Sequence, residues 1–266
     1  MKISFIGYGN IVKAMLEGLR SDNGNELRAA APSLSTGTDE NGTKTYSDNL
    51  AAIQDADVVI LAVKPTQMHA VLKQMNPALI PPDCILISVA SGLGLSWFEK
   101  HFPNIAIVCA MPNIASALGK GATPMVANQF VTKAQKQKAE QIFKSFGLVT
   151  WVKNESDINA FTALSGSGPA YIFMFMEAMI KAAIALGIEE NTAKSFALQT
   201  FNGALCLATE TKLCLSELRK TVTSPGGTTA AALEVLTQHG FDAIIDEAMR
   251  AACERARQLG TAKPKQ

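Results

Sequence analysis

Two glycine-bearing turns in this chain are made of residues suited to holding anions. Near the start, Gly7-Tyr8-Gly9-Asn10-Ile11-Val12 follows the apolar run Lys2–Ile6 and leads into a helical pattern. A glycine at the first position, Gly7, permits a tight turn, and one at the second, Gly9, lets the backbone approach a pyrophosphate. The helix start at Asn10 and Ile11 adds unpaired N–H groups and the positive end of the helix dipole. Far along the chain, Ser224-Pro225-Gly226-Gly227-Thr228-Thr229 precedes a second helical run over 230–236. Free N–H groups at Gly226, Gly227, Thr228 and Thr229 suit a carboxylate, and the hydroxyls of Ser224 and Thr229 add hydrogen bonds, one of them to a ligand nitrogen. The plain alternatives are an ordinary strand-to-helix turn and, in the second case, Thr228 as a helix N-cap.

Other residues fall where strand patterns end. Ala62-Val63-Lys64-Pro65 closes one strand, which places Lys64 near a ligand and Pro65 at a helix start. Ala90-Ser91-Gly92 closes the next, its small residues leaving room for a nicotinamide ribose, and Met111-Pro112-Asn113 closes a third, with Asn113 a candidate polar contact. In a doubly wound sheet ligands bind beyond these carboxyl ends. A dinucleotide is therefore expected at Gly7, Gly9, Asn10, Ile11, Ala62, Val63, Lys64, Pro65 and Ala90. The second strand ends in Ala31-Pro32-Ser33, without the Asp or Glu that would hold the ribose of NAD. Ser33 and nearby Asn49 can donate hydrogen bonds to a 2′-phosphate, which favours NADPH and leaves NADH open.

These residues need a frame. Strand patterns lie at 2–7, 26–31, 57–63, 84–90, 106–111, 122–127 and 148–152. Helical patterns lie at 10–21, 49–54, 66–75, 96–100 and 132–146. Continuously apolar strands such as Val58-Val59-Ile60-Leu61-Ala62-Val63, alternating with helices, predict an α/β fold: a Rossmann-type doubly wound, mostly parallel sheet. The polar run 33–42 lacks helical periodicity where a second crossover helix would sit, and is expected to be a mobile loop. After 156 the strand pattern stops and small, apolar helices follow. The expected domains are therefore a dinucleotide-binding unit, 1–156, and an all-helical unit, 157–266, that binds substrate and buries its excess apolar surface against another subunit.

Composition narrows the function. The formal net charge is +1, with no basic cluster beyond the short Lys263-Pro264-Lys265 tail, which argues against nucleic acid or an anionic membrane as partner. Five dispersed cysteines and three histidines offer neither a disulfide framework nor a metal site. The most apolar stretch, 170–187, is interrupted by Glu177 and Lys181 and reads as a buried helix rather than a span. No signal arrangement opens the chain, so a cytoplasmic protein is expected.

In order along the chain stand Gly-x-Gly-Asn, Ala-Val-Lys-Pro at 62–65, Met-Pro-Asn at 111–113, Thr-Ala-Leu-Ser-Gly-Ser-Gly-Pro-Ala-Tyr at 162–171 and Ser-Pro-Gly-Gly-Thr-Thr at 224–229. This set closely resembles the pyrroline-5-carboxylate reductase family over nearly the whole chain. Val12 at the third glycine position, the absent second helix and Ala31-Pro32-Ser33 are departures, all on the cofactor side. The resemblance implies hydride transfer from NAD(P)H to the imine carbon of 1-pyrroline-5-carboxylate, giving L-proline. It implies that Ser224, Gly226, Gly227, Thr228 and Thr229 hold the substrate, with the Thr229 hydroxyl as the catalytic group at the ring nitrogen. It also implies homo-oligomers: dimers through the helical domains, often five to a decamer. A β-hydroxyacid dehydrogenase would share the plan but is expected to carry a lysine on the first helix of the helical domain. Here the first lysine after Asn159 is Lys181. A non-catalytic redox sensor would leave the Ser-Pro-Gly-Gly-Thr-Thr turn unexplained.

Overall fold

The computed structural model describes residues 1–20 and 24–261. Ser21, expected at the end of the first helix, and the Lys263-Pro264-Lys265 tail lie outside them. The chain forms two compact units: Met1–Ser167, joined by the last helix from Ala251, and Gly168–Arg250.

The first unit opens with β1 (Lys2–Ile6), α1 (Asn10–Arg20) and β2 (Glu26–Ala30). The short strands β3 (Gly37–Thr38) and β4 (Lys44–Tyr46) come next, then α2 (Asn49–Ile53), β5 (Val58–Leu61) and α3 (Pro65–Gln74). Further on are β6 (Ile85–Ser88), α4 (Leu95–His101), β7 (Ile107–Ala110), β8 (Gly121–Ala127), α5 (Lys133–Lys144), β9 (Gly147–Trp151) and α6 (Asp157–Phe161). The strands form one sheet in the order β3-β4-β2-β1-β5-β6-β7-β8-β9. All pairings are parallel except β3 with β4 and β7 with β8.

The continuously apolar strands are explained by burial on both faces, since successive side chains point to opposite sides. Ile3, Phe5, Val58, Ile60, Ile85 and Ile87 face a core completed by Val12, Met15 and Leu16 of α1 and by Ile142 and Phe143 of α5. Ile6, Val59, Leu61 and Leu86 face a second core with Ile53 of α2, Met68 of α3 and Phe98 of α4. Val12, which stands where a third glycine is usual, is wholly buried in the first core. The tightest approach on α1 occurs instead at Gly18, where a Cβ would lie 2.8 Å from the Phe146 ring.

The polar run 33–42 is not the loose loop its composition suggests. Strands β3 and β4 form a hairpin there, with β4 also pairing parallel to β2. Asp39 accepts the N–H of Asn41 at 2.9 Å and of Thr43 at 2.8 Å, and the Thr45 hydroxyl donates to the Ser35 carbonyl at 2.7 Å. Strands of two and three residues carry too little alternation to be read as a pattern.

The unit boundary also falls later than 156, where the strand pattern ends. After α6 the chain passes through a π-helical turn, Thr162–Gly166, instead of breaking at the glycines. The Asn113 side chain donates to the Ser165 carbonyl at 2.9 Å and accepts the Ala122 N–H at 3.3 Å, tying this turn to the sheet. Pro169 has no N–H to offer the carbonyl four residues before it, so the Asn113 amide serves that acceptor. Asn113 thereby commits one of its two amide N–H donors to structure.

The second unit is helical: α7 (Gly168–Ala185), α8 (Glu190–Glu210), α9 (Leu215–Thr221), α10 (Thr228–Gln238) and the first part of α11 (Phe241–Thr261). The helix expected to be buried at 170–187 is not buried within one chain. No residue of α7 is buried, and Phe173, Met174 and Phe196 are all more than half exposed. By length and composition, Asp157–Ala185 would pass as a membrane span. An apolar surface this broad marks an interaction face.

Candidate functional site

The strand register brings the N-terminal candidates to one edge. Ile6 stands beside Leu61, Leu61 beside Ser88 and Ser88 beside Cys109. Gly7 and Ala62, which follow directly, and Ala90, two residues past Ser88, therefore lie beyond the carboxyl ends of β1, β5 and β6. The connections reverse direction at β1, flanked by β2 on one side and β5 on the other, which creates the crevice where α/β sheets bind ligands.

Gly7 is buried and has φ +108°, and a Cβ on it would lie 2.7 Å from the Ala62 carbonyl oxygen and 3.1 Å from Val63 Cγ1. Only glycine permits that turn. A Cβ on Gly9, by contrast, would meet nothing within 4 Å. The backbone there faces open space at the head of α1, with Asn10 and Ile11 as its first residues. This is the cradle a pyrophosphate requires, so these residues fit a dinucleotide. Ala62 and Val63 are half-buried beside the turn, and exposed Lys64 stands as N-cap of α3 with Pro65 as its first residue. Ser33 is exposed in the turn after β2. Asn49 donates its side-chain amide to Gln74 Oε1 at 3.0 Å, which engages half of its donor capacity.

Beyond β6 and β7 the first unit holds a cleft of about 380 Å³. Its walls include the Ala90–Gly94 segment, Asn159, Thr162 and Arg257. Cys109 also lines it, but burial holds its thiol far above the ordinary range, so it is not a thiolate nucleophile. The Thr162 hydroxyl donates to the Ile158 carbonyl at 2.8 Å.

Glu155 is the cleft residue that motif reading does not single out. It lies between β9 and α6, and its carboxylate packs against Gly94, near the backbone N–H groups of Leu95 and Ser96 at the start of α4. The carboxylate occupies the space a side chain at Gly94 would need. Burial pushes Glu155 above the usual carboxylate range and the nearby Glu99 adds to this, while the two N–H groups pull it back. No local pattern signals such a residue, because its partners come from a distant loop.

In the helical unit, Ser224–Thr229 forms a tight turn before α10. Gly226 has φ +69°, and the Gly227 N–H donates to the Ser224 carbonyl at 3.0 Å. A Cβ on Gly227 would collide with the Ser224 hydroxyl. The N-cap of α10 is Gly227, not Thr228, and no side chain caps this helix. The hydroxyls of Ser224 and Thr229 and the first N–H groups of α10 therefore remain available to a ligand.

Comparison with known proteins matches residues 155–259 to a family model described as pyrroline-5-carboxylate reductase dimerisation. Residues 2–92 match one described as NADP oxidoreductase, coenzyme F420-dependent. The chain is 37% identical over 265 residues to the pyrroline-5-carboxylate reductase of Pseudomonas aeruginosa, covering 97% of this chain and 96% of that one. A solved pyrroline-5-carboxylate reductase from Coxiella burnetii is 39% identical with a TM-score of 0.90, covering 98% of both chains. The pyrroline carboxylate reductase of Plasmodium falciparum, solved with NADP bound, is 29% identical with a TM-score of 0.87, again over 98% of both.

Proposed function

The chain belongs to the pyrroline-5-carboxylate reductase family, and from that premise we propose that it reduces 1-pyrroline-5-carboxylate to L-proline with NADPH, the last step of proline biosynthesis. The observation that carries this is the open helix head at Gly9 and Asn10, in a chain whose relatives match it end to end. When bound, the nicotinamide supplies a hydride. Gly7, Gly9, Asn10 and Ile11 hold the pyrophosphate, and Ala62, Val63, Lys64, Pro65 and Ala90 line the path towards the nicotinamide. Ser33 and Asn49 take the 2′-phosphate, at a strand end that carries no carboxylate to repel it. NADH is the less favoured reductant.

Ser224 and the amides of Thr228 and Thr229 hold the substrate carboxylate, with Gly226 and Gly227 shaping the turn, since the Gly227 N–H, expected to be free, is engaged by the Ser224 carbonyl. The hydride adds to the imine carbon, the C=N electron pair moves to nitrogen, and the nitrogen takes a proton. The Thr229 hydroxyl orients that nitrogen and relays its proton. The imine is already electrophilic, so positioning supplies most of the rate, and neither a histidine dyad nor a metal is required. Nicotinamide absorbance tests the reading: it falls only when 1-pyrroline-5-carboxylate is added, and faster with NADPH than with NADH. Folded protein that turns over neither would overturn it.

The exposed apolar face of the helical unit is assigned to a homodimer, with dimers assembling into decamers; residues 168–250 serve oligomerisation and substrate binding, and the first unit binds the dinucleotide. The apolar Asp157–Ala185 stretch carries Glu177 and Lys181 and lies within the match to the dimerisation model, which favours a protein partner over a membrane. Sedimentation at micromolar concentration is expected to give a dimer or a multiple of it; a monomer removes this assignment. The five cysteines are all free thiols, in keeping with a reducing cytoplasm, and the near-neutral charge with a partner other than nucleic acid.

A further inference from the structure

We propose that His69 and His101 form a Zn²⁺-binding site on the surface of the first unit, in which the ion clips α3 to α4. The site is independent of the reductase reading. His69 lies in α3 and His101 is the last residue of α4. Both helices rest on the second core, α3 through Met68 and Leu72 and α4 through Phe98, so the backbone beneath each ring is held in place. His69 Nδ1 stands 3.3 Å from His101 Nε2, with the ring centroids 5.4 Å apart and the ring planes at 80°. Trp97, one turn before His101, holds that ring twice. Its carbonyl lies 3.0 Å from His101 Nδ1, and its indole lies against the imidazole with centroids 4.3 Å apart.

A carbonyl oxygen can only accept, so His101 Nδ1 carries a proton and the neutral ring turns the Nε2 lone pair towards His69. His69 then has two choices. With its proton on Nδ1 it donates to His101, and the pair is a hydrogen bond. With its proton on Nε2, two lone pairs face each other and a cation takes the place of the shared proton. The neutral pair loses no proton in that exchange, which only moves one between the two nitrogens of His69. Zinc–imidazole bonds are about 2.0–2.1 Å long, so nitrogens 3.3 Å apart subtend roughly 105–110° at the metal, the tetrahedral angle. A modest tilt of each ring aims both lone pairs at that point. The bond from His101 Nδ1–H to a backbone carbonyl is the outer-shell contact that orients imidazole ligands in metal sites. Two imidazoles select zinc over the hard cations magnesium and calcium, which take oxygen ligands. Among the described residues no third His, Cys, Asp or Glu completes a cluster, so water fills the remaining positions. The two histidines are 32 residues apart in sequence, which is no ligand spacing, and only the packing of α3 beside α4 makes them a pair.

The test is calorimetric titration of Zn²⁺ into the full chain, with thermal unfolding alongside. Wild type is expected to take up Zn²⁺ in a step that His69→Gln and His101→Gln each weaken by at least about tenfold, the least that disturbing an imidazole ligand costs. Zn²⁺ in large excess over its Kd should raise the wild-type Tm by several degrees and leave both variants unmoved. Without metal both variants should match the wild-type Tm, because His69 is exposed and His101 only half-buried. Should His101→Gln fail to fold, His69→Gln alone decides. Ni²⁺, which also takes imidazole and quenches indole emission at short range, reports the place. It should quench Trp97 in the wild type and far less in either histidine variant. Trp97→Phe, which keeps the carbonyl, should retain Zn²⁺ uptake and lose that quench. Unchanged Zn²⁺ uptake in both histidine variants would overturn the proposal and place the ion elsewhere, the exposed thiols of Cys206 and Cys214 being the next donors. So would a wild-type chain that takes up no Zn²⁺ at millimolar concentration.

Discussion

Thr229→Ala is expected to lower kcat/KM for 1-pyrroline-5-carboxylate by about a hundred- to a thousandfold, the usual consequence of removing one aligned donor from a reacting centre. NADPH affinity should remain within about twofold, because the change leaves every dinucleotide contact proposed above intact. Thr229 is the second residue of α10, half-buried, and its hydroxyl is not consumed in capping the helix. Its backbone N–H, at a helix head that favours an anion, survives the substitution. The carboxylate should therefore still bind, and the loss should fall more on kcat than on KM. Thr229→Ser keeps the hydroxyl and should recover most of the rate, whereas Thr229→Val keeps only the shape and should not. Steady-state kinetics with a parallel calorimetric titration of the cofactor decides the matter. Equal losses in turnover and cofactor affinity would assign Thr229 to the fold of the turn instead.

Gly7→Ala should act on the other ligand and on stability together. Its φ of +108° is a conformation that L residues rarely adopt, and the new Cβ would sit 2.7 Å from the Ala62 carbonyl oxygen and 3.0 Å from its carbon. Those are backbone atoms at the end of a central strand and have nowhere to go. The strain is about 1–3 kcal/mol before any rearrangement. Relief requires the turn to move off the head of α1, and dinucleotide affinity is expected to fall by at least about a hundredfold as the N–H groups lose their aim. Gly9→Ala is the informative partner: with nothing within 4 Å of its Cβ, it should leave Tm unchanged while obstructing the approach of the pyrophosphate. Thermal unfolding and NADP⁺ titration of both variants separate the two roles. If Gly7→Ala matched wild type in both measurements, the turn would not be the cofactor grip.

Much of this was legible along the chain because it depends on neighbours in sequence. The runs at Lys2–Ile6 and Val58–Leu61 announce buried strands, since each residue of such a strand meets one of two cores. Gly7 and Gly9 announce a turn into a helix, and Ser224–Thr229 another. What remained hidden was settled by partners far apart. The β3–β4 hairpin is too short to show a period, and Asp39 and Thr45 hold it together. Asn113 reads as a ligand contact, and the structure adds a second role for it, one amide N–H serving the Ser165 carbonyl. Nothing local to Gly166 and Gly168 announces the π-helical turn at Thr162–Gly166, which Asn113 anchors from another loop.

The sequence by itself determined the mostly parallel sheet, the two glycine turns at helix heads and the family, because hydrophobic period and backbone freedom are local properties. Only the tertiary structure decided that Gly7 lies against Ala62, that Gly9 faces open space, and that Glu155 reaches across the cleft to the head of α4. Each of these joins residues from different elements, and a side chain's surroundings exist only once those elements have packed.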